Sequence, residues 1–390
     1  MERTRVLVKR RLPAAVGGRA VDSAKRAAQC STLLSPAVPK KSPLRPATQI
    51  RSTSEFARHV GLARTTVSRV LNQQPGLKQK TIERVQRALA ETGFTPNAHA
   101  LHLKGKRTAL VGICMEDLLT PPAVKKLASL QRLLRERGFS SLIEVFTPGT
   151  GREVVRHFLS MRVEAVVFIG HFHREEIEAR IGELIAHGTP HLVIDQFGLR
   201  NANTISLDRA AAMEAVMDHL LDLGHRFFGL LGIARAPASR HDRMTGIHAA
   251  LKARGLDFDA CTLSLDHLHE RANDFDYGRK LAVSFLAYAR RPTALLGLND
   301  AIAIGALRGL HEAELKLPRD MSVVGFNNQD VAAMTTPTLT TVDQNIEGTI
   351  ATAAEVVLGQ LDAPPRLKPI IRMIPASLIV RESTGPARGA

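Results

Sequence analysis

Four side chains at helical spacing could carry the chemistry of DNA recognition. They are Arg64, Thr65, Ser68 and Arg69, which fall mainly on the polar face of a predicted helix. Arginine can pair with guanine, and threonine can contact a thymine methyl or a polar base edge. No acidic residue occurs in the stretch 63–72, whereas a merely solvated helix usually mixes both signs of charge. This face therefore predicts base reading in a DNA groove.

A second set of polar residues follows predicted strands in the later part of the chain. They are Asp195, Asn299, Asp300, Asn327 and Asn328. In open α/β sheets, ligands bind beyond the carboxyl ends of the strands. These positions therefore predict a ligand cleft.

Two short helices must position the DNA-reading face. Ser52, with Glu55 three residues later, forms a capping box that begins the first helix, and Gly61 can end it in a left-handed conformation. The inward-facing residues of the two helices are Phe56, Ala57, Val60, Val67, Val70 and Leu71. The pattern predicts a helix-turn-helix whose second helix enters the major groove. An αα-hairpin packed inside a larger domain is the structural alternative.

A third helix and a linker follow. We predict the helix at Gln79–Thr92, ended by Gly93. Its inner residues are expected to be Ile82, Val85, Leu89 and Ala90. Pro96 suits the first turn of a further short helix and Gly105 its end, so the linker could become helical.

From Thr108 onward, short apolar runs alternate with helical stretches. The predicted strands are Ala109–Ile113, Leu142–Phe146, Ala165–Ile169, Leu192–Ile194, Phe227–Leu231, Ala294–Leu298 and Val323–Phe326. Continuous apolar strands between helices indicate parallel sheets covered on both faces. The fold class is therefore α/β, with a helical head followed by two doubly wound halves.

Charge is distributed unevenly along the chain. Residues 1–107 hold 22 Lys and Arg against 5 Asp and Glu, a net charge of +17. Residues 108–390 hold 31 against 32, a net charge of −1. A basic segment attached to a neutral body is typical of polyanion binding. Residues 1–48 show no periodicity and are expected to form a disordered basic extension; an organelle transit peptide or a start codon assigned too far upstream also fits them.

Several functional classes find no support in the motifs. Cys30, Cys114 and Cys261 are widely spaced and odd in number, so they indicate neither a disulfide framework nor metal-ligand spacing. No apolar run reaches the roughly 18–20 residues of a membrane span. No nucleophile elbow, phosphate loop or dinucleotide fingerprint occurs in a suitable context. We therefore expect a cytoplasmic, nucleoid-associated protein that is not an enzyme and uses no cofactor and no metal.

Four motifs together resemble the lactose-repressor/galactose-repressor family of bacterial transcription regulators. They are Thr66-Val-Ser-Arg-Val-Leu-Asn72, the linker Pro96-Asn-x-x-Ala-x-x-Leu103, Ala294-Leu-Leu-Gly-Leu-Asn-Asp300 and Ser322-Val-Val-Gly-Phe326. The resemblance runs from about residue 50 to residue 384. It implies a homodimer, sometimes a tetramer, with a helix-turn-helix head, a hinge helix and an effector core resembling periplasmic sugar-binding proteins.

The resemblance also implies roles for individual residues. Bases are expected to be read by Arg64 and Thr65, with Ser68 and Arg69 beside them. The positions implied for phosphate or sugar contacts are Ser52, Thr66, Asn72, Lys78, Thr81 and Asn97. In the hinge, Ala100 packs closely and Leu103 matches a wedge inserted into the minor groove. Ala63 departs from the hydroxyl residue usual before the second helix, and Leu101 from a common hinge arginine.

The implied effector-binding residues are Asp195, Arg243, Asn299, Asn327 and Gln344, with Arg240 a near alternative to Arg243. Asn327 stands where the family usually has an aspartate, so the site loses one negative charge while Arg243 stays. We therefore predict a sugar acid or another anionic small molecule rather than a neutral sugar.

The resulting domain organisation has five parts. It comprises an extension (1–48), a helix-turn-helix domain (49–95), a hinge (96–107), an effector-binding and dimerisation core (108–385) and a tail (386–390). Within the core, the N-lobe spans about 108–207 plus 344–373, and the C-lobe about 208–342 plus 374–385.

The function predicted is an effector-controlled DNA-binding regulator, most simply a repressor of pseudo-palindromic operators. A small-molecule carrier would not need residues 49–106, and an enzyme would need catalytic groups that the sequence does not show.

Overall fold

A computed structural model describes residues 50, 52–71, 74–94, 107–233, 237–267, 273–361 and 368–388. The chain divides into two units, Met1–Asn97 and Ala98–Ala390. The extension 1–48 and most of the hinge, including Asn97, Ala100 and Leu103, lie outside the described residues, as does Asn72.

In the described part of the first unit, the chain forms three helices, α1 (Thr53–Val60), α2 (Arg64–Leu71) and α3 (Gln79–Thr92). The Ser52 hydroxyl accepts a hydrogen bond from the Glu55 amide at 3.2 Å and so caps α1. Gly61 ends α1 with a φ of 68°, and Gly93 ends α3 with a φ of 63°. Both glycines take the left-handed conformation that other residues rarely adopt. Helix α3 has the bounds that the sequence predicts.

The core of the first unit consists of the apolar faces of all three helices. Phe56 is fully buried and stacks on Phe94, with ring centroids 4.7 Å apart. The other buried members are Ala57, Val60, Val67, Val70, Val85 and Ala88. One expectation is wrong, because Ala90 is exposed and Ala88 takes the inner position. Ala88 lies three residues after Val85, on the same side of the helix.

In the second unit, the described residues form two parallel sheets. Its described strands are β1 (Leu110–Met115), β2 (Ser140–Val145), β3 (Ala165–Ile169), β4 (His191–Ile194), β5 (Thr204–Leu207), β6 (Phe228–Leu231), β7 (Thr262–Ser264), β8 (Ala294–Gly297), β9 (Ser322–Val324), β10 (Thr341–Asp343), β11 (Ile371–Ile374) and β12 (Ser377–Ile379). Its described α-helices are α4 (Pro121–Glu136), α5 (Gly151–Ser160), α6 (Arg174–Ala186), α7 (Arg209–Asp222), α8 (Pro237–Ala253), α9 (Phe258–Cys261), α10 (Asp274–Ser284), α11 (Asp300–Glu312) and α12 (Ile346–Leu361).

The first sheet defines one lobe and has the strand order β11-β5-β4-β3-β1-β2, all parallel. Helices α4 and α12 cover one face, and α5 and α6 cover the other. Both faces are thus buried, which explains why its central strands are almost wholly apolar.

The second sheet defines the other lobe, with the order β7-β6-β8-β9, also parallel. Helices α7 and α8 pack on one face, and α10 and α11 on the other. Beside this sheet, β10 pairs with β12 in an antiparallel ribbon, which the sequence pattern does not predict. The doubly wound α/β core is confirmed, since each sheet lies between two helical layers.

One expected boundary needs correction. The division of the lobes at 373/374 falls inside β11, whose Ile374 pairs with Leu207 in the first sheet. The chain therefore crosses to the second lobe after Ile374. None of the helices in the described ranges is both long and apolar enough to cross a membrane.

Candidate functional site

The outer face of α2 is the candidate base-reading surface. Arg64 and Thr65 are exposed, while Thr66 and Ser68 are half-buried. Arg64 makes no hydrogen bond or ion pair with any residue that the structure describes, so its donors are available for a partner. Arg69 is exposed, but its guanidinium donates to the Pro75 carbonyl at 3.1 Å. Arg69 therefore also anchors the loop between α2 and α3.

The residues expected at the DNA backbone lie at the ends of the other helices. Ser52 caps α1 through its hydroxyl. Lys78 is exposed and immediately precedes α3. Thr81 is half-buried in the first turn of α3, where its amide donates to the Lys78 carbonyl at 2.8 Å. Helix N-termini with free amides are favourable places for phosphate groups.

In the first lobe, a buried ion cluster surrounds Asp195. This residue directly follows β4, has a φ of 79° and is 8 % exposed. The Lys126 ammonium, on α4, lies 2.7 and 2.6 Å from its two carboxylate oxygens. Arg209, at the start of α7, lies 3.6 Å away. Burial by itself would raise the pKa of Asp195, but Lys126 and Arg209 outweigh it and lower the pKa to about 2.

Two further polar residues border this cluster. The Arg209 guanidinium lies 3.5 Å from Nε2 of His171, and the Glu116 carboxylate accepts the His171 amide at 2.6 Å. Burial and the nearby Arg209 lower the pKa of His171 to about 4, so its ring is neutral near pH 7. Burial raises the pKa of Glu116. Glu116, His171 and Asp195 follow β1, β3 and β4, so they meet at one edge of the sheet.

In the second lobe, Arg243 lies on α8 and is only 5 % exposed. Its guanidinium lies over the Phe326 ring at 3.8 Å from the centroid. Its Nε and one terminal nitrogen are buried and have no hydrogen-bond partner among the described residues. Burial and the proximity of Arg209 lower its pKa to about 9, which leaves it charged near neutral pH. Arg240 is exposed, so Arg243 is the better candidate of the two.

The other expected cleft residues each make a hydrogen bond within the protein. Asn327 accepts a hydrogen bond from the Gln344 side-chain amide, while the Gln344 carbonyl oxygen is buried without a partner among the described residues. Asn299 caps α11 and donates to Asp274 at 2.5 Å. Asp300, in contrast, is fully buried and accepts from Thr341 at 2.5 Å and from the Gln329 amide at 2.7 Å. Its role is structural.

Sequence reasoning misses four members of the cleft, Glu116, Lys126, His171 and Arg209. Two of them could have been found, because Glu116 and His171 follow predicted strands in the same way as Asp195. Arg209 follows β5, a strand that the sequence pattern does not predict. Lys126 has no such signal, since its pairing with Asp195 depends on how α4 packs over the sheet.

Comparison with known proteins identifies the family. A family of bacterial regulatory proteins, the lacI family, matches residues 54–97, which include both helices of the helix-turn-helix. A periplasmic binding protein-like domain matches residues 217–384. This chain belongs to the lacI family. It is a DNA-binding transcription regulator and not an enzyme, as the sequence predicts.

Individual transcription regulators align over most of the chain. The transcriptional regulator MalR of Streptomyces coelicolor is 29 % identical over 86 % of this chain and 97 % of its own length. The lactose operon repressor of Escherichia coli is 27 % identical over 85 % of this chain and 89 % of its own length. A crystal structure of the lac repressor dimer bound to operator and the anti-inducer ONPF shares the fold, with a TM-score of 0.74 and 24 % identity over 86 % of this chain and 99 % of that chain.

Proposed function

We propose that this lacI-family protein is a repressor that binds pseudo-palindromic operator DNA as a homodimer under the control of a small molecule. The observation that carries the proposal is the pairing of two features in one chain. These are the exposed, acid-free face of α2 and a cleft of strand-end polar residues with unpartnered buried groups. The solved structure of similar fold contains a dimer, an operator and a small molecule. Acting on DNA would place the protein in the cytoplasm at the nucleoid.

The two sets of residues have separate tasks in this proposal. Bases are read by Arg64 and Thr65, assisted by Ser68 and Arg69. Phosphates or sugars are contacted by Ser52, Thr66, Asn72, Lys78, Thr81 and Asn97, and the hinge packs through Ala100 and inserts Leu103. The effector binds Asp195, Arg243, Asn299, Asn327 and Gln344. Phosphate contacts orient the head, while base contacts specify the sequence.

Control by the effector follows from a shift between two arrangements of the lobes. Asp195 and Arg243 lie on different lobes, so a molecule that touches both favours the arrangement that brings them together. The ligand alters DNA binding only if its affinity differs between the two arrangements. With the same architecture, an effector can either lower or raise the affinity for the operator. Titration of operator binding with the effector distinguishes the two.

Selection from randomised duplexes, followed by titration with small molecules, tests the proposal. We expect the full chain to enrich two inverted half-sites, because a symmetric dimer reads symmetric DNA. A ligand of the cleft should then change the operator affinity about tenfold or more, the usual size of an allosteric coupling. Failure to enrich any sequence, or an operator affinity that no bound ligand changes, would contradict the proposal.

A further inference from the structure

Two of the proposed effector-binding residues carry buried polar atoms without partners among the described residues. Arg243 has two nitrogens, and Gln344 an oxygen, that are buried and make no hydrogen bond with the described residues. Leaving a buried charged donor unpaired is costly, more so than a neutral one. We infer that the effector carries a carboxylate or phosphate group that pairs with Arg243, together with a hydroxyl that donates to Gln344. The inference rests on the effector site of the proposed function.

The geometry of Arg243 favours an oxyanion. Phe326 covers one face of the guanidinium at 3.8 Å, which leaves the donors along its edge for a ligand. Two parallel N–H donors in one plane match the oxygens of a carboxylate or phosphate. No carboxylate in the described part of the chain lies within ion-pair distance of Arg243. The neighbouring Asp242 makes no ion pair with it, and burial raises the pKa of Asp242.

The ion pairs that Asp195 makes within the protein argue against a neutral sugar as the ligand. Both of its oxygens already accept hydrogen bonds from Lys126, at 2.7 and 2.6 Å, and Arg209 adds a second positive charge at 3.6 Å. A sugar hydroxyl would have to compete with a buried ammonium for this carboxylate. Lys126 thus neutralises Asp195 and reduces the repulsion that an anionic ligand would otherwise meet.

Asn327 and Gln344 favour an anionic ligand that also carries a hydroxyl group. Asn327 adds no charge, and its carbonyl oxygen is already occupied by the Gln344 amide. The free Gln344 oxygen requires a donor, which a simple inorganic anion such as sulfate does not offer. The cleft therefore suits a hydroxylated acid, either a sugar acid or a sugar phosphate.

Matched ligand pairs test this inference on the full chain. Calorimetry would compare glucose with glucuronate, gluconate and glucose 6-phosphate, and galactose with galacturonate. We expect at least one anion to bind about tenfold to a hundredfold more tightly than its neutral partner, the value of charge-assisted hydrogen bonds. Arg243→Gln should abolish this preference, whereas Lys252→Gln, exposed on the same helix, should leave it intact.

A second variant makes the test independent of Arg243. Lys126→Gln removes one of the positive charges that compensate the Asp195 carboxylate, so it should weaken anion binding. The difference in affinity between each anion and its neutral partner should therefore become smaller. Thermal unfolding of each variant verifies that the core is folded. Three results would each overturn the inference. The neutral sugars could bind more tightly than the anions, the anion preference could survive Arg243→Gln in a folded core, or no anion could bind at millimolar concentration. A regulator that still selects an operator and responds to a neutral sugar would leave the proposed function standing.

Discussion

Replacing Phe56 with alanine is expected to abolish specific DNA binding while the effector core remains folded. Phe56 is fully buried against Phe94, and a buried Phe→Ala change costs about 3–5 kcal/mol. A head of this size has a stability of only a few kcal/mol, at roughly 0.05–0.15 kcal/mol per residue. The loss therefore approaches the whole stability of the head.

The control for this change is Gln86→Ala, since Gln86 is exposed on α3 of the same bundle. Operator binding and the thermal transition of the core would be measured for both variants. We expect Gln86→Ala to bind its operator like the parent protein. Operator affinity near the parent value in Phe56→Ala would show that the head does not depend on this core.

Replacing Gly305 with alanine is expected to destabilise the effector core. A β-carbon at Gly305 would lie 2.0 Å from the Phe275 carbonyl oxygen, which is backbone and cannot swing aside. Gly278 and Gly309 make similar approaches between α10 and α11, at 2.0 and 2.3 Å. Separating the two helices should cost about 1–3 kcal/mol or more. Because Asn299 caps α11 and bonds to Asp274 on α10, ligand binding should weaken as well.

Gly359→Ala provides a matched control within α12. A β-carbon there meets nothing within 4 Å, and alanine is favoured over glycine in a helix by about 0.5–1 kcal/mol. Thermal unfolding should therefore show a lower midpoint for Gly305→Ala and an unchanged or higher one for Gly359→Ala. Equal midpoints for the two variants would mean that α10 and α11 can move apart without a measurable loss of stability.

Much of the fold could be predicted because local signals agree with the packing. Helix α3 has its predicted bounds because an apolar periodicity is followed by Gly93 in the left-handed conformation. Strands β1, β3 and β8 were found from continuous apolar runs, as expected for strands buried on both faces. The strands missed were β5, β7, β10, β11 and β12. These have three or four residues each and include a polar or charged one, so none shows a continuous apolar run of its own.

The cleft was predictable only in outline. Asp195 lies at a strand end, where the sequence placed it. Its partners were not visible, because Lys126 comes from a helix 69 positions earlier in the chain and Arg209 from the start of another. Such pairings are set by helix packing over the sheet, which no local pattern records. The two positive partners of Asp195 therefore follow from the packing of the helices and not from a local sequence pattern.

Comparing the sequences selected by the parent protein and by Arg64→Ala tests the central claim, that the exposed face of α2 reads DNA. Loss of a bidentate arginine contact should cost about 1–3 kcal/mol and relax the preference at one or two symmetric base pairs. Lys78→Ala, which removes a proposed phosphate contact, should weaken binding to all sequences alike. An unchanged consensus for Arg64→Ala, with equal losses on selected and random DNA, would contradict the account.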